Sequence, residues 1–135
     1  MDLTRAFPRS PYDMLAGMVM LGRTTDKARA LLADGLGDYQ YDCPLDRELF
    51  AFLGIDAAQF AELVRKGEAD EEVARSTDAA CSRSPLEKDA FNNKMRHLSP
   101  GDSDGQKWLE ERRRELERED LHTFFEVLDA DEGRF

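Results

Sequence analysis

The chain has 135 residues, two cysteines and a formal charge of −10 at neutral pH; 41% of it is hydrophobic and 36% charged. That length sustains one hydrophobic core rather than two, and the acidic excess, most of it beyond residue 67, argues against nucleic acid as a partner. No apolar run nears the roughly 20 residues of a membrane span and residues 1–13 lack a base-flanked apolar leader, so a cytoplasmic protein off the membrane is expected, with Cys43 and Cys81 as free thiols.

Helix punctuation recurs along the chain. Ser10, Pro11 and Asp13 predict a first helix with Leu15, Met18 and Val19 on one face, stopped by Gly22. Residues 1–9 precede it as an arm, with Leu3 and Phe7 turned back over the core. Thr24 or Thr25 caps a second helix whose stripe is Ala28, Leu31 and Leu32, ended by Gly35. Residues 37–42 then alternate aromatic and polar side chains, which predicts an irregular or extended segment; no second strand is available to pair with it.

Pro44 opens a third helix bearing Leu45, Leu49, Phe50, Phe52 and Leu53, closed by Gly54. Asp56 and Gln59 form a capping box for a fourth, which ends at Gly67. Asp70 caps a fifth, as far as about Ala80. Ser84 and Pro85 launch a sixth with Leu86, Ala90, Phe91, Met95 and Leu98. After the Ser99-Pro100-Gly101-Asp102 turn, Ser103 and Gln106 cap a highly charged helix running to about Arg118, with Trp108, Leu109 and Leu116. Leu121, Phe124, Phe125, Val127 and Leu128 are dense enough to dock on the core, and residues 129–135 are expected to fray. The expectation is one all-α domain, residues 1–135, of six to seven helices with one irregular segment near residues 37–42.

Several short motifs stand in a fixed order: FPRSP from Phe7, LAG from Leu15, DKARA from Asp26, G-x-G-x-Y-x-Y from Gly35, CPLD from Cys43 and FLGID from Phe52. On these the chain resembles the bacterial domain-of-unknown-function 5069 family, most strongly in its N-terminal half. The resemblance supports the element boundaries and implies no activity, cofactor or partner.

Candidate chemistry concentrates between residues 23 and 46. Arg23 and Lys27 share a helix face near its N-terminus, where backbone N–H groups also favour anions, so a small carboxylate or phosphate is the expected ligand, with Tyr39 or Tyr41 closing over it. Asp26, Arg29 and Asp46 complete the ligand-binding set. The competing reading has Asp26 neutralising both bases and Arg29 pairing with a neighbour. Cys43, placed as the cap before Pro44, is the candidate nucleophile or redox thiol, although the only histidines, His97 and His122, lie far along the chain. Cys43, Cys81, His97 and His122 lack zinc-site spacing, and neither a calcium loop nor a phosphate loop is present, so no metal and no cofactor are expected. The leading expectation is a non-catalytic binding or adaptor domain for an unknown protein or a small anionic ligand. The alternatives are a Cys43-dependent enzyme or redox sensor, and a homodimer formed through the last aromatic helix; monomer and homodimer both fit the sequence.

Overall fold

The computed structural model describes residues 1–134 and contains seven α-helices among them: α1 (Leu21–Leu32), α2 (Pro44–Leu53), α3 (Ala57–Lys66), α4 (Asp70–Ala80), α5 (Pro85–His97), α6 (Ser103–Leu116) and α7 (Phe124–Asp131). The described residues form no strand, only an isolated bridge between Leu15 and Met18, and residues 37–42 are turns and irregular chain. The fold is all-α.

Helices α2, α3, α5 and α7 begin where their caps dictate. Asp56 accepts from the Gln59 backbone N–H, Ser84 from Glu87 and Thr123 from Glu126, and each third-position side chain reaches back to its cap. These reciprocal bonds satisfy amides that helix geometry leaves without partners. Helix α6 is capped by Asp102, which accepts from Gly105, one residue earlier than expected, and Asp70 opens α4 from within its first turn rather than as its cap.

The first expected helix does not form. Met18, Val19, Met20 and Leu21 are all buried, but the backbone before Leu21 is not helical. Instead the chain turns tightly at Ala16 and Gly17, both with positive φ, and runs irregularly through the core. Buried Asn92 of α5 supplies the missing backbone bonds: its Oδ1 accepts from the Val19 N–H at 2.9 Å and its Nδ2 donates to the Gly17 carbonyl at 2.9 Å. Ser10 donates to Asp129 rather than capping a helix.

Helix α1 therefore starts at Leu21, and Gly22 is no stop signal. A Cβ there would lie 3.2 Å from Cζ and Nε of Arg9, whose guanidinium is held by Asp26 and Asp70. Helix propensity alone favours Gly22→Ala by about 1 kcal/mol. Because two carboxylates hold the guanidinium where the added methyl would go, we expect the substitution to lower stability instead, by on the order of 1 kcal/mol. Urea denaturation of Gly22→Ala, alone and with Arg9→Ala, checks this: removing Arg9 should restore a stabilising effect.

The core gathers around α1, whose residues from Leu21 to Ala28 are all buried. Phe60 of α3, Leu49 and Leu53 of α2, Met95 of α5 and Phe125 of α7 pack with Met18, Met20 and Leu21. A second cluster, Leu109, Leu121 and Val127, joins α6 to the far side of α7. Leu86 is not part of either and is 79% exposed; nine residues before Met95, it lies on the opposite face of α5. Of the arm, Leu3 is buried and donates its N–H to the Gly35 carbonyl, whereas Phe7 is exposed.

Residues 129–134 do not fray. Asp129 and Glu132 are buried, and the Arg134 guanidinium reaches the Pro8 carbonyl at 2.6 Å. Phe135, the last residue of the expected tail, lies outside the described residues.

Candidate functional site

Arg23, Asp26 and Lys27 on α1 are all nearly inaccessible to water. A charge so placed needs an opposite charge and directed hydrogen bonds, or it costs several kcal/mol. Each has them, from a different part of the chain. The Lys27 ammonium donates to Asp46 Oδ2 at 2.7 Å and to the Gln40 carbonyl at 3.0 Å, with Cys43 Sγ 3.4 Å away. Asp46 also accepts from the Thr24 hydroxyl and from the backbone N–H groups of Asp42 and Cys43. One carboxylate thus ties the 38–43 turn and the start of α2 onto α1.

Arg23 donates through both terminal nitrogens to Glu132, at 2.9 and 2.8 Å. The Tyr39 hydroxyl donates to the same carboxylate at 2.7 Å, and the Tyr39 ring lies over the Arg23 guanidinium; Arg134 bonds it too. Asp26 faces the other way and takes Arg9, whose guanidinium also bonds Asp70; Arg29 donates to Asp70 at 2.9 Å. Asp26 therefore neutralises neither Arg23 nor Lys27.

Burial acts first on the Glu132 carboxyl and pulls its pKa up, but the bonds and charge of Arg23, with Tyr39 and Arg134, outweigh it and leave the pKa lowered. Arg9 holds Asp70 below the usual carboxylate range. Burial raises the pKa of Tyr39, helped by Glu132, and of Tyr41, helped by Asp46 and Asp42. A phenol raised in the fold contributes stability below its unfolded pKa of about 10 and loses it as pH rises beyond. The urea midpoint should accordingly fall above about pH 10, and Tyr39→Phe with Tyr41→Phe should make that alkaline fall shallower than in the parent, whatever the double variant costs at neutral pH.

Two adjoining cavities open beside these pairs. One, about 260 Å³, is lined by Arg23, Lys27, Asp38, Tyr39, Asp131 and Glu132 among others. The second, about 560 Å³, lies between the start of α2, the 98–102 turn, α6 and α7, with Trp108, Phe124, Pro44 and Leu98 in its walls. Trp108 and Phe124 pack with centroids 5.5 Å apart, and the Phe124 N–H bonds the Leu98 carbonyl. Gln40, Cys43, Leu45 and Leu128 line both cavities, so the two share a wall and stand as the polar and apolar arms of one candidate cleft. A larger hollow, about 690 Å³, is lined by Glu110, Arg113, Arg114, Glu117 and Glu119 of α6 and the turn after it, with no aromatic or aliphatic residue among them.

The expected set therefore divides. Arg23, Lys27, Tyr39 and Cys43 line the polar arm, with Asp46 fully buried behind Lys27. Tyr41 turns toward α3, donating to the Ala57 carbonyl at 2.6 Å beside Phe50, while Asp26 and Arg29 belong to the Arg9–Asp70 cluster. The two bases do not form an unpaired anion seat, because each already holds a carboxylate. Glu132, Asp131, Leu128 and Trp108 complete the site from the far end of the chain. Arg9 also escaped sequence reading, though it stands in the FPRSP motif. Among the described residues, no three His, Cys, Asp or Glu side chains gather as a metal site, and no helix is long and apolar enough to cross a membrane.

A family model describes nearly all of this architecture, matching residues 5–134. The chain belongs to the DUF5069 family. The family's description is a domain of unknown function, and the match spans all seven helices rather than the N-terminal half alone. No curated protein matches the chain significantly.

Proposed function

We propose that this member of the DUF5069 family is a non-catalytic binding domain of the bacterial cytoplasm, and that its small-molecule site is the two-armed cleft beside residues 23–46. The observation that carries the reading is that an aromatic, apolar cavity lies against one lined by charged side chains, with Gln40, Cys43, Leu45 and Leu128 in the walls of both. A concave, mostly apolar space of several hundred Å³ with a few convergent polar groups is the usual form of a ligand pocket. The absence of catalysis is supported by how the charged groups are engaged. Asp46 accepts four hydrogen bonds, and Glu132 is bonded by Arg23, Tyr39 and Arg134, which leaves neither poised to take a substrate proton.

The test is a thermal-shift screen over small acids, amines, sugars and nucleosides, paired with iodoacetamide labelling followed by mass. A binder should raise the midpoint and slow labelling of Cys43, while Cys81, which lines neither arm, is unaffected. If no compound does either, the reading is lost.

A second reading, a working Cys43 thiol, has one observation in its favour: Cys43 stands at the cap position of α2 with the Lys27 ammonium 3.4 Å from its Sγ. On that reading Cys43 is alkylated much faster than Cys81 at neutral pH. Equal rates would remove it.

A further inference from the structure

The cleft's charge is the reverse of what its basic residues suggest in sequence. Arg23 and Lys27 are neutralised within the fold by Glu132 and Asp46. The polar arm holds two more carboxylates, Asp38 and Asp131. Both are exposed, and among the described residues neither has a hydrogen-bond or ion-pair partner. The arm's lining therefore carries more carboxylates than bases, Asp38, Asp131 and Glu132 against Arg23 and Lys27, although Arg134 also bonds Glu132 from outside the lining. The apolar arm adds no counterweight: of its two acidic residues, Glu48 pairs with Lys94 on α5 and Asp102 caps α6, and no basic side chain lines it. Its walls are the Trp108 and Phe124 rings with Leu128, Pro44 and Pro100.

We infer that the cleft takes an amphipathic organic amine, its ammonium group in the arm lined by Asp38 and Asp131 and its apolar body against Trp108 and Phe124. This rests on the cleft reading above and adds the ligand class. A carboxylate or phosphate ligand would meet the unpaired like charge of Asp38 and Asp131 and find Arg23 and Lys27 already paired. A cation meets complementary charge there and leaves the buried pairs undisturbed. Aromatic walls suit the carbon skeleton and attract any part of the cation that reaches them.

Three compounds with one phenylethyl body and different heads test this: 2-phenylethylamine, 2-phenylethanol and 3-phenylpropionate. Binding is read from the emission of Trp108, the sole tryptophan, and from protection of Cys43 against iodoacetamide with Cys81 as internal control. The amine should bind about tenfold tighter than the alcohol, the sum of two exposed charge contacts, and the acid should bind weakest. The preference should shrink as salt is raised. Asp38→Asn with Asp131→Asn should bring the amine down to the alcohol's affinity with the thermal midpoint unchanged, since both side chains lie at the surface. If the alcohol or the acid binds as well as the amine, the inference falls and the cleft reading stands. An amine unaffected by the double substitution also overturns it. If all three fail while the broader screen finds a binder, the amine class is wrong; if that screen fails as well, both readings fall together.

Discussion

Asp46→Ala is expected to lower the free energy of unfolding by about 3–5 kcal/mol, the cost of leaving a buried charge without its partner. The carboxylate is fully inaccessible and lies 2.7 Å from the Lys27 ammonium, which is itself 4% exposed in its side chain. Its removal also takes the acceptor from the Thr24 hydroxyl and from the Asp42 and Cys43 amides, groups that are costly to leave unpaired away from water. Replacing both charges, as Lys27→Met with Asp46→Leu, should cost less than Asp46→Ala alone, because no isolated charge then remains. Urea titrations of the single and double variants decide the matter. A loss under about 1 kcal/mol in Asp46→Ala would place the pair in the class of solvated surface bridges and sink the claim that it fastens the 38–43 turn to α1.

The parts of the fold readable from sequence were those whose signals are local. The boxes Asp56–Gln59 and Ser84–Glu87 lie within four residues, so the starts of α3 and α5 are written where they occur. The segment before α1 carries equally good local signs of a helix, and they mislead. What decides its course is Asn92, 73 residues away, which satisfies the Val19 amide, together with Arg9, which occupies the space beside Gly22. Local pattern carries no trace of either. Leu86 shows the reverse case: an apolar residue at a helix start that the core does not reach.

For the candidate site, the charged side chains of residues 23–46 are visible in the sequence and their partners are not. The four-residue spacing of Arg23 and Lys27 is visible, but an ion pair closed across the fold leaves no spacing to read. Asp46 is 19 residues from Lys27 and Glu132 is 109 from Arg23. Without those partners the two bases look like an anion seat; with them, the uncompensated charge belongs to Asp38 and Asp131. The density of apolar residues in the last helix was legible as a docking face: Phe125 and Val127 are buried within the chain, while Phe124 and Leu128 line the apolar cavity.

Glu132→Ala should cost about 3–5 kcal/mol as well, and deleting residues 132–135 at least as much, which is the opposite of what a fraying terminus predicts. The Glu132 side chain is 2% exposed and bonds Arg23, whose side chain is 3% exposed, so truncation leaves a guanidinium buried against Tyr39 with no counter-charge. The penalty should be pH-dependent with a definite sign. Because the Glu132 pKa is lowered in the fold, its contribution is complete above the unfolded value of about 4.3 and drains away as pH falls through the lower folded value. The gap between parent and Glu132→Ala should therefore be widest at neutral pH and close in acid. Arg23→Met should recover part of the loss when combined with Glu132→Ala, since the stranded charge leaves with it. A truncated chain as stable as the parent would mean that α7 ends at Asp131 in energy as well as in geometry, and the polar arm would then lack the wall that Glu132 builds.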